Sequence, residues 1–465
     1  MALRYAKLFG LLIAAILATY FAPKAVASIF YITALFVYLY DKDEPVWLTF
    51  FFVVSDGFLG FFNNFDAVVS IIPGLPDVEI GQFYVVATIA KLRKVTGPAP
   101  SIFYRHLGIA LLVYTLFLVV QGYAIGVTPE LRFHFRIVKY VLPLALFFTL
   151  PRLIPRWEQY REVFDLFIPF AFLALFAQVF TVATGLAPSQ ALGVHQDLFF
   201  TEVLGRGQTY RGFYSTGMVL ISFFGALFFL TVDNTSWKKP LYMAMVFADL
   251  LAAFISATRG WVLGFGLILL LYAVLVARLN AGRIAIGGVL GAALLFGILR
   301  IPAVSHQVDE ATDRILTIGL LAKGDVTAGG TLQRLDRRAP RVMKKWSESP
   351  LTGWGFSNEY REYGDSHVGN HNVLLHGGVV GAVLMAAFLM YFAWMLLARS
   401  LALATTKPYK RGLLVFPVFL VGWFIIHSSS GQWFMFAGEP GLTIPEALFF
   451  SFGAWCYNDS FSEPA

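Results

Sequence analysis

LGIALLVYTLFLVVQ, residues 107–121, is apolar on every face of any regular structure it could adopt. A barrel strand would alternate apolar and polar residues over about 10 positions, and a surface helix would keep a polar stripe. Neither pattern is present, so the stretch reads as the middle of a transmembrane helix; Ile284–Leu299 reads the same way. Such a span needs about 20 mostly apolar residues. Hydropathy places spans at 5–21, 25–40, 46–62, 80–95, 105–126, 136–150, 163–186, 213–232, 240–257, 260–278, 284–300, 372–398, 412–428 and 443–457. The expected fold class is all-α: a polytopic membrane helix bundle of about 14 transmembrane helices (range 12–14), with one large outer loop.

Composition agrees. The 465 residues are 58% hydrophobic and 14% charged, against about 45–50% and about 25% for a soluble domain. A soluble class is thereby excluded. Aromatic residues reach 17%, with 47 Phe, which predicts ring-lined cavities and belts. The single Cys456 excludes an intramolecular disulfide and a cysteine-based metal site. Arg4 and Lys7, an apolar run from Leu8 and then Ala25-Val26-Ala27 imitate a signal peptide, read here as an uncleaved signal-anchor helix.

A net charge of +7 would suggest nucleic acid in a soluble chain, but here the basic residues act first as topology signals, and no nucleic-acid partner is expected. With the N-terminus inside, the inward connections and their flanks hold 18 of the 35 Lys and Arg. The short outward segments hold 7: Lys24, Arg132, Arg136, Lys139, Arg206, Arg211 and Arg259. The other 10 lie in the long loop Arg300–Asn370, which the positive-inside rule discounts. Both termini are therefore predicted to be cytoplasmic and the long loop external. The chain divides into N-terminal transmembrane helices (1–200), core helices with Arg-bearing outer corners (201–300), the large loop (301–371) and C-terminal helices (372–465).

Arg206, Arg211 and Arg259 run against the topological bias, so another explanation is needed. Ser256-Ala257-Thr258-Arg259-Gly260 is a tight outer corner, and Arg206-Gly207-Gln208-Thr209-Tyr210-Arg211-Gly212 is a second outward segment. Arginine between spans is costly unless it meets an anion or a wet cavity, and its fork suits phosphate oxygens. Within the loop, apolar Leu332, Leu335, Ala339, Val342, Met343 and Trp346 recur at helical spacing among Arg334, Arg337, Arg338, Arg341, Lys344 and Lys345. That is a basic amphipathic helix suited to the bilayer surface, with Pro340 predicting a kink or two short helices. His371-Asn372 follows at the mouth of the next span, flanked by His367 and His376. The histidine spacing lacks an HExxH-type acid, so no metal is expected. Two Arg-Gly corners and a histidine on one face read as a diphosphate clamp beside a general base.

The ordered set formed by the Arg-rich helix ending in Trp346, Ser349-Pro350-Leu351-Thr352-Gly353-Trp354-Gly355, His371-Asn372-Val373-Leu374-Leu375, and Gly378 and Gly381 resembles the C-terminal region of the bacterial O-antigen ligase and O-antigen polymerase superfamily. The corner at 256–260 and Arg211-Gly212-Phe213 are similar to that family's other Arg elements. The stretch after His371-Asn372 is shorter than is usual there and lacks an acidic residue, so His367 and His376 stay open as sharers of the histidine's role. The resemblance implies a GT-C-like, metal-independent, inverting glycosyltransferase of polysaccharide and lipopolysaccharide biosynthesis, without cofactor, at the periplasmic face of the inner membrane. Its substrate would be an undecaprenyl-diphosphate-linked oligosaccharide and its surroundings the lipid bilayer; a chain-length regulator is a compatible partner. His371 would be the base, with Arg259 and Arg211 on the leaving diphosphate; Arg206, Tyr210, Asn372, His367, His376, Arg338 and Arg341 would contact substrate. A polymerase is the first expectation. A ligase acting on lipid A core is the second, and a protein oligosaccharyltransferase is a further relative. A transporter using intramembrane Asp56, Asp66, Asp165 or Asp249 is the alternative from another class.

Overall fold

The computed structural model describes the chain except residues 63–65, 70–77, 95–100, 196–197, 199, 204–206, 234–236, 279–301, 322, 326–333, 404–407, 431–438 and 461–465. The expected span 284–300 and Arg206 lie outside the described residues.

The protein is an all-α, multi-pass membrane protein. Its helices are α1 (Ala2–Tyr20), α2 (Lys24–Tyr40), α3 (Glu44–Asp56), α4 (Ile80–Leu92), α5 (Ile102–Ile125), α6 (Leu131–Val141), α7 (Leu146–Leu153), α8 (Trp157–Thr184), α9 (Thr216–Val232), α10 (Lys239–Ile255) and α11 (Arg259–Leu271). The large loop contributes α12 (Pro302–Leu316), α13 (Ala339–Trp346) and α14 (Asn358–Tyr363), and the chain closes with α15 (Gly369–Ala402), α16 (Pro408–Ser430) and α17 (Pro440–Asp459). Among the described residues seven helices are long and apolar enough to cross a membrane, and shorter apolar helices such as α2, α4 and α9 accompany them. Two antiparallel ribbons are the only sheet described: β1 (Val68–Val69) with β2 (Val78–Glu79), and β3 (Phe200–Val203) with β4 (Gly207–Tyr210).

The expected spans outside 284–300 each find a helix, with edges moved for local reasons. The span expected at 136–150 extends over Leu131–Leu153, because the 3₁₀ turn Leu142–Ala145 takes up Pro143 between α6 and α7. The one expected at 46–62 stops at Asp56, where Gly57 adopts φ 93°. The Asp56 carboxylate accepts the Gly217 and Met218 N–H groups at 2.9 and 2.8 Å and so caps α9 from a neighbouring helix.

The aromatic content forms a packed core, where lined cavities were expected. Phe224 meets Phe449 at 4.8 Å, Phe228 meets Phe452 at 4.8 Å and Phe416 meets Phe449 at 5.3 Å, joining α9, α16 and α17 through edge-on and tilted pairs. Lipid gives no hydrophobic drive between helices, so such packing is what holds a bundle together.

The basic loop helix also differs from expectation. The α-helix begins at Ala339, so Pro340 sits in its first turn, where the missing N–H costs nothing, and a π turn, Arg334–Arg338, precedes it. Ala339 and Val342 of its apolar side pack on Val368 and Leu375, while Leu332 and the Leu335 side chain lie outside the described residues.

Candidate active site

Arg211 and Arg259 lie in separate parts of the sequence, and the fold brackets them together. Gln307 of α12 is buried; its side-chain nitrogen donates to the Tyr210 carbonyl at 2.6 Å and the Ile255 carbonyl at 2.7 Å, and its oxygen accepts the Tyr210 N–H at 3.1 Å. One side chain thus pins the residue before Arg211 to the end of the helix before Arg259. On the far side of both arginines Phe213 meets Trp261 edge-on at 4.9 Å. Between these brackets Ala257 takes φ 52°, a left-handed conformation costly for a residue with a Cβ. Arg259 donates to the Thr317 hydroxyl at 2.7 Å just past α12. Tyr210 is buried, its ring stacked on Tyr214 at 6.0 Å.

His371 reaches the same end of the bundle through α16. A Cβ on Gly264 would lie 2.5 Å from Ile426 Cγ1, and one on Gly422 would lie 2.1 Å from Ile268 Cγ1, so the two glycines let α11 and α16 cross closely. Beside Ile426, His427 is enclosed. At Gly369 a Cβ would lie 2.3 Å from the His427 carbonyl oxygen. His371 follows in the first turn of α15, partly exposed, with Nδ1 buried and making no hydrogen bond. No hydrogen bond joins it to Arg211 or Arg259, which stand on the other flank of α16.

The neighbouring residues hold this mouth in place. Asn372 accepts the Asp365 N–H at 2.9 Å and donates to the Asp365 carbonyl at 2.5 Å. The Asp365 carboxylate meets Arg338 at 3.2 Å and Arg341 at 3.8 Å, which seats the basic helix over the start of α15. His367 is exposed and its backbone N–H donates to Asp365. His376 is fully enclosed, stacked on Tyr360 at 3.9 Å and edge-on to Phe356 at 4.6 Å. Among the described residues no group of three His, Cys, Asp or Glu could hold a metal ion.

The residues 350–355 explain the glycines after His371. At Gly378, φ +60° breaks α15, freeing backbone groups that would be costly at membrane depth. The loop satisfies them: Trp354 and Gly355 donate to the Leu375 and His376 carbonyls at 2.9 and 2.7 Å, while the Pro350 and Leu351 carbonyls accept from Val379 and Val380 at 2.9 and 3.0 Å. Phe356 then donates to the Leu118 carbonyl of α5 at 3.0 Å.

Sequence reading missed Gln307, whose only signal is a polar residue on the apolar side of a loop helix, and Glu439, which opens α17. Burial, with Glu79 nearby and outweighing Lys139 and Arg136, pushes the Glu439 carboxyl up to about 7. Of the intramembrane acids, Asp249 is enclosed and accepts the Ser222 hydroxyl of α9 at 3.0 Å; Asp165 is paired with Lys238 at 2.8 Å.

No family model matches the chain, and no curated protein matches its sequence. A solved structure described as "Structural coordination of polymerization and crosslinking by a peptidoglycan synthase complex" is similar over 78% of this chain and 99% of that one, at 14% identity and a TM-score of 0.45.

Proposed function

We propose that this protein is a polysaccharide polymerase. It transfers a glycan from undecaprenyl diphosphate to a sugar hydroxyl of a second lipid-linked repeat, with inversion and without a metal, at the periplasmic face of the bacterial inner membrane. The observation that carries this reading is the bracketing of Arg211 and Arg259 by Gln307 and by the Phe213–Trp261 pair, at the end of the bundle where His371 keeps a free Nδ1.

The acceptor hydroxyl oxygen attacks the anomeric carbon from the side opposite the diphosphate. The bond from that carbon to the diphosphate oxygen breaks, its electron pair stays on the diphosphate, and the hydroxyl proton passes to His371. A histidine suits this step because its ordinary pKa lies near neutral pH. Arg211 and Arg259 offset the charge that grows on the leaving group, and brackets fixed before reaction make that stabilisation effective. His376 is enclosed by rings, which favours His371 as the base. Asp249 is held within the packing between α9 and α10, which favours an enzyme over a transporter.

The test is reaction of the purified protein with one lipid-linked repeat, with and without lipid A core. Oligomers from the repeat alone are the expected product; product only with lipid A core would make the protein a ligase. His371→Ala should abolish either product, and near-normal transfer would overturn the base assignment. EDTA should leave the rate unchanged, and inhibition reversed by a divalent cation would overturn the metal-free step.

A further inference from the structure

At the end of the bundle away from His371, a cavity of about 390 Å³ opens where α2 meets α3, where α4 ends and where α7 turns into α8. Lys42, Lys94, Arg152 and Arg156 all line it, and none of the four has a carboxylate partner among the described residues. Lys94 lies 3.8 Å over the Tyr40 ring, and Arg156 Nε reaches only the Gln159 amide oxygen, at 3.5 Å.

Asp41, Glu44 and Lys91 line the cavity too, and both acids are already taken: Asp41 pairs with Lys7 and Glu44 with Lys91, while Asp43 nearby pairs with Arg4. The lining cations outnumber the lining acids, so the cavity keeps its positive charge. Membrane orientation asks only that cations lie on this side of the bilayer; it does not ask that four of them, from three connections, face one concavity where they repel one another. An anion with several oxygens removes that repulsion, and two guanidinium groups suit phosphate in particular. Leu39 and Leu153 supply apolar wall next to the charges, as a headgroup joined to an acyl chain would require, and the volume is that of a small-ligand site.

We propose that this cavity binds an anionic, phosphate-bearing headgroup that carries no compensating cation, with Arg152 and Arg156 on the phosphate oxygens and Lys42 and Lys94 beside them. The site is separate from the glycan-transfer site and does not depend on that reading.

The test measures thermal unfolding of the detergent-purified full-length chain after addition of phosphatidylglycerol, phosphatidylcholine or inorganic phosphate. Phosphatidylglycerol should raise the melting temperature by several degrees and phosphatidylcholine should not. The double variant Arg152→Gln/Arg156→Gln should keep its own melting temperature and lose that response. Lys42→Gln, at an exposed position between α2 and α3, should weaken the response and serves as a second readout if the double variant misfolds. An equal rise with inorganic phosphate alone would support the anion site and identify a free anion as its ligand. Equal responses to the two lipids, or full retention of the response in the variants, would overturn the proposal.

Discussion

Arg259 opens α11, and its guanidinium already holds Thr317 at 2.7 Å while facing the end of the bundle that carries His371. A lysine there keeps the charge but loses the planar fork. Arg259→Lys should therefore reduce glycan transfer roughly tenfold or more through loss of bidentate contact, measured as kcat/KM at fixed protein stability; unchanged activity would mean that the site needs only positive charge. Glu439 makes a prediction about pH. The folded protein keeps its proton up to about pH 7, whereas an ordinary glutamate with a pKa of 4.5 has lost it well before. Between those values the folded state binds more protons than the unfolded state, so its stability falls as pH rises. Glu439→Gln should flatten the melting temperature across that window and stabilise the protein above pH 7. An unaltered pH slope in the variant would show that Glu439 ionises normally.

At the scale of elements, the break in α15 and the loop at 350–355 form one unit. The break exposes two carbonyls and two N–H groups, and the loop supplies the complementary set. A Cβ on Gly378 would lie 2.4 Å from the Leu351 carbonyl, at a φ that side chains rarely adopt. Gly378→Ala should cost about 2 kcal/mol or more through strain and displacement of the loop, and limited proteolysis should then cut within 350–357 faster than in the wild type; equal cleavage would separate loop from helix. This unit also shows where sequence patterns stop. Ser349-Pro350-Leu351-Thr352-Gly353-Trp354-Gly355 reads as a turn-rich connection, but nothing in its order indicates that its backbone completes a helix beyond it. In the same way the 334–346 stretch reads as an amphipathic helix, but nothing in its order indicates that Ala339 and Val342 pack on Val368 and Leu375.

For the whole molecule, orientation is the property that composition predicts most directly. Cys456 is fully enclosed, so the native chain offers a quiet background for labelling. In intact cells a cysteine at Arg337 should react with a membrane-impermeant maleimide, and one at Lys42 should react only after permeabilisation; the reverse pattern would invert the topology. The sequence by itself determined the membrane class, the positions of the spans and the excess of cations at one end, because these follow from the cost of placing polar groups in hydrocarbon, residue by residue. It also singled out Arg206, Arg211 and Arg259 as costly where they stand and His371 as the candidate base. Only the tertiary structure decided which of these come together, because that depends on contacts between residues far apart in the chain. Gln307 joins the two arginine corners, Gly264 and Gly422 let α11 and α16 approach, and Gly369 against His427 brings His371 to the same end. None of these contacts has a period or spacing that hydropathy could register.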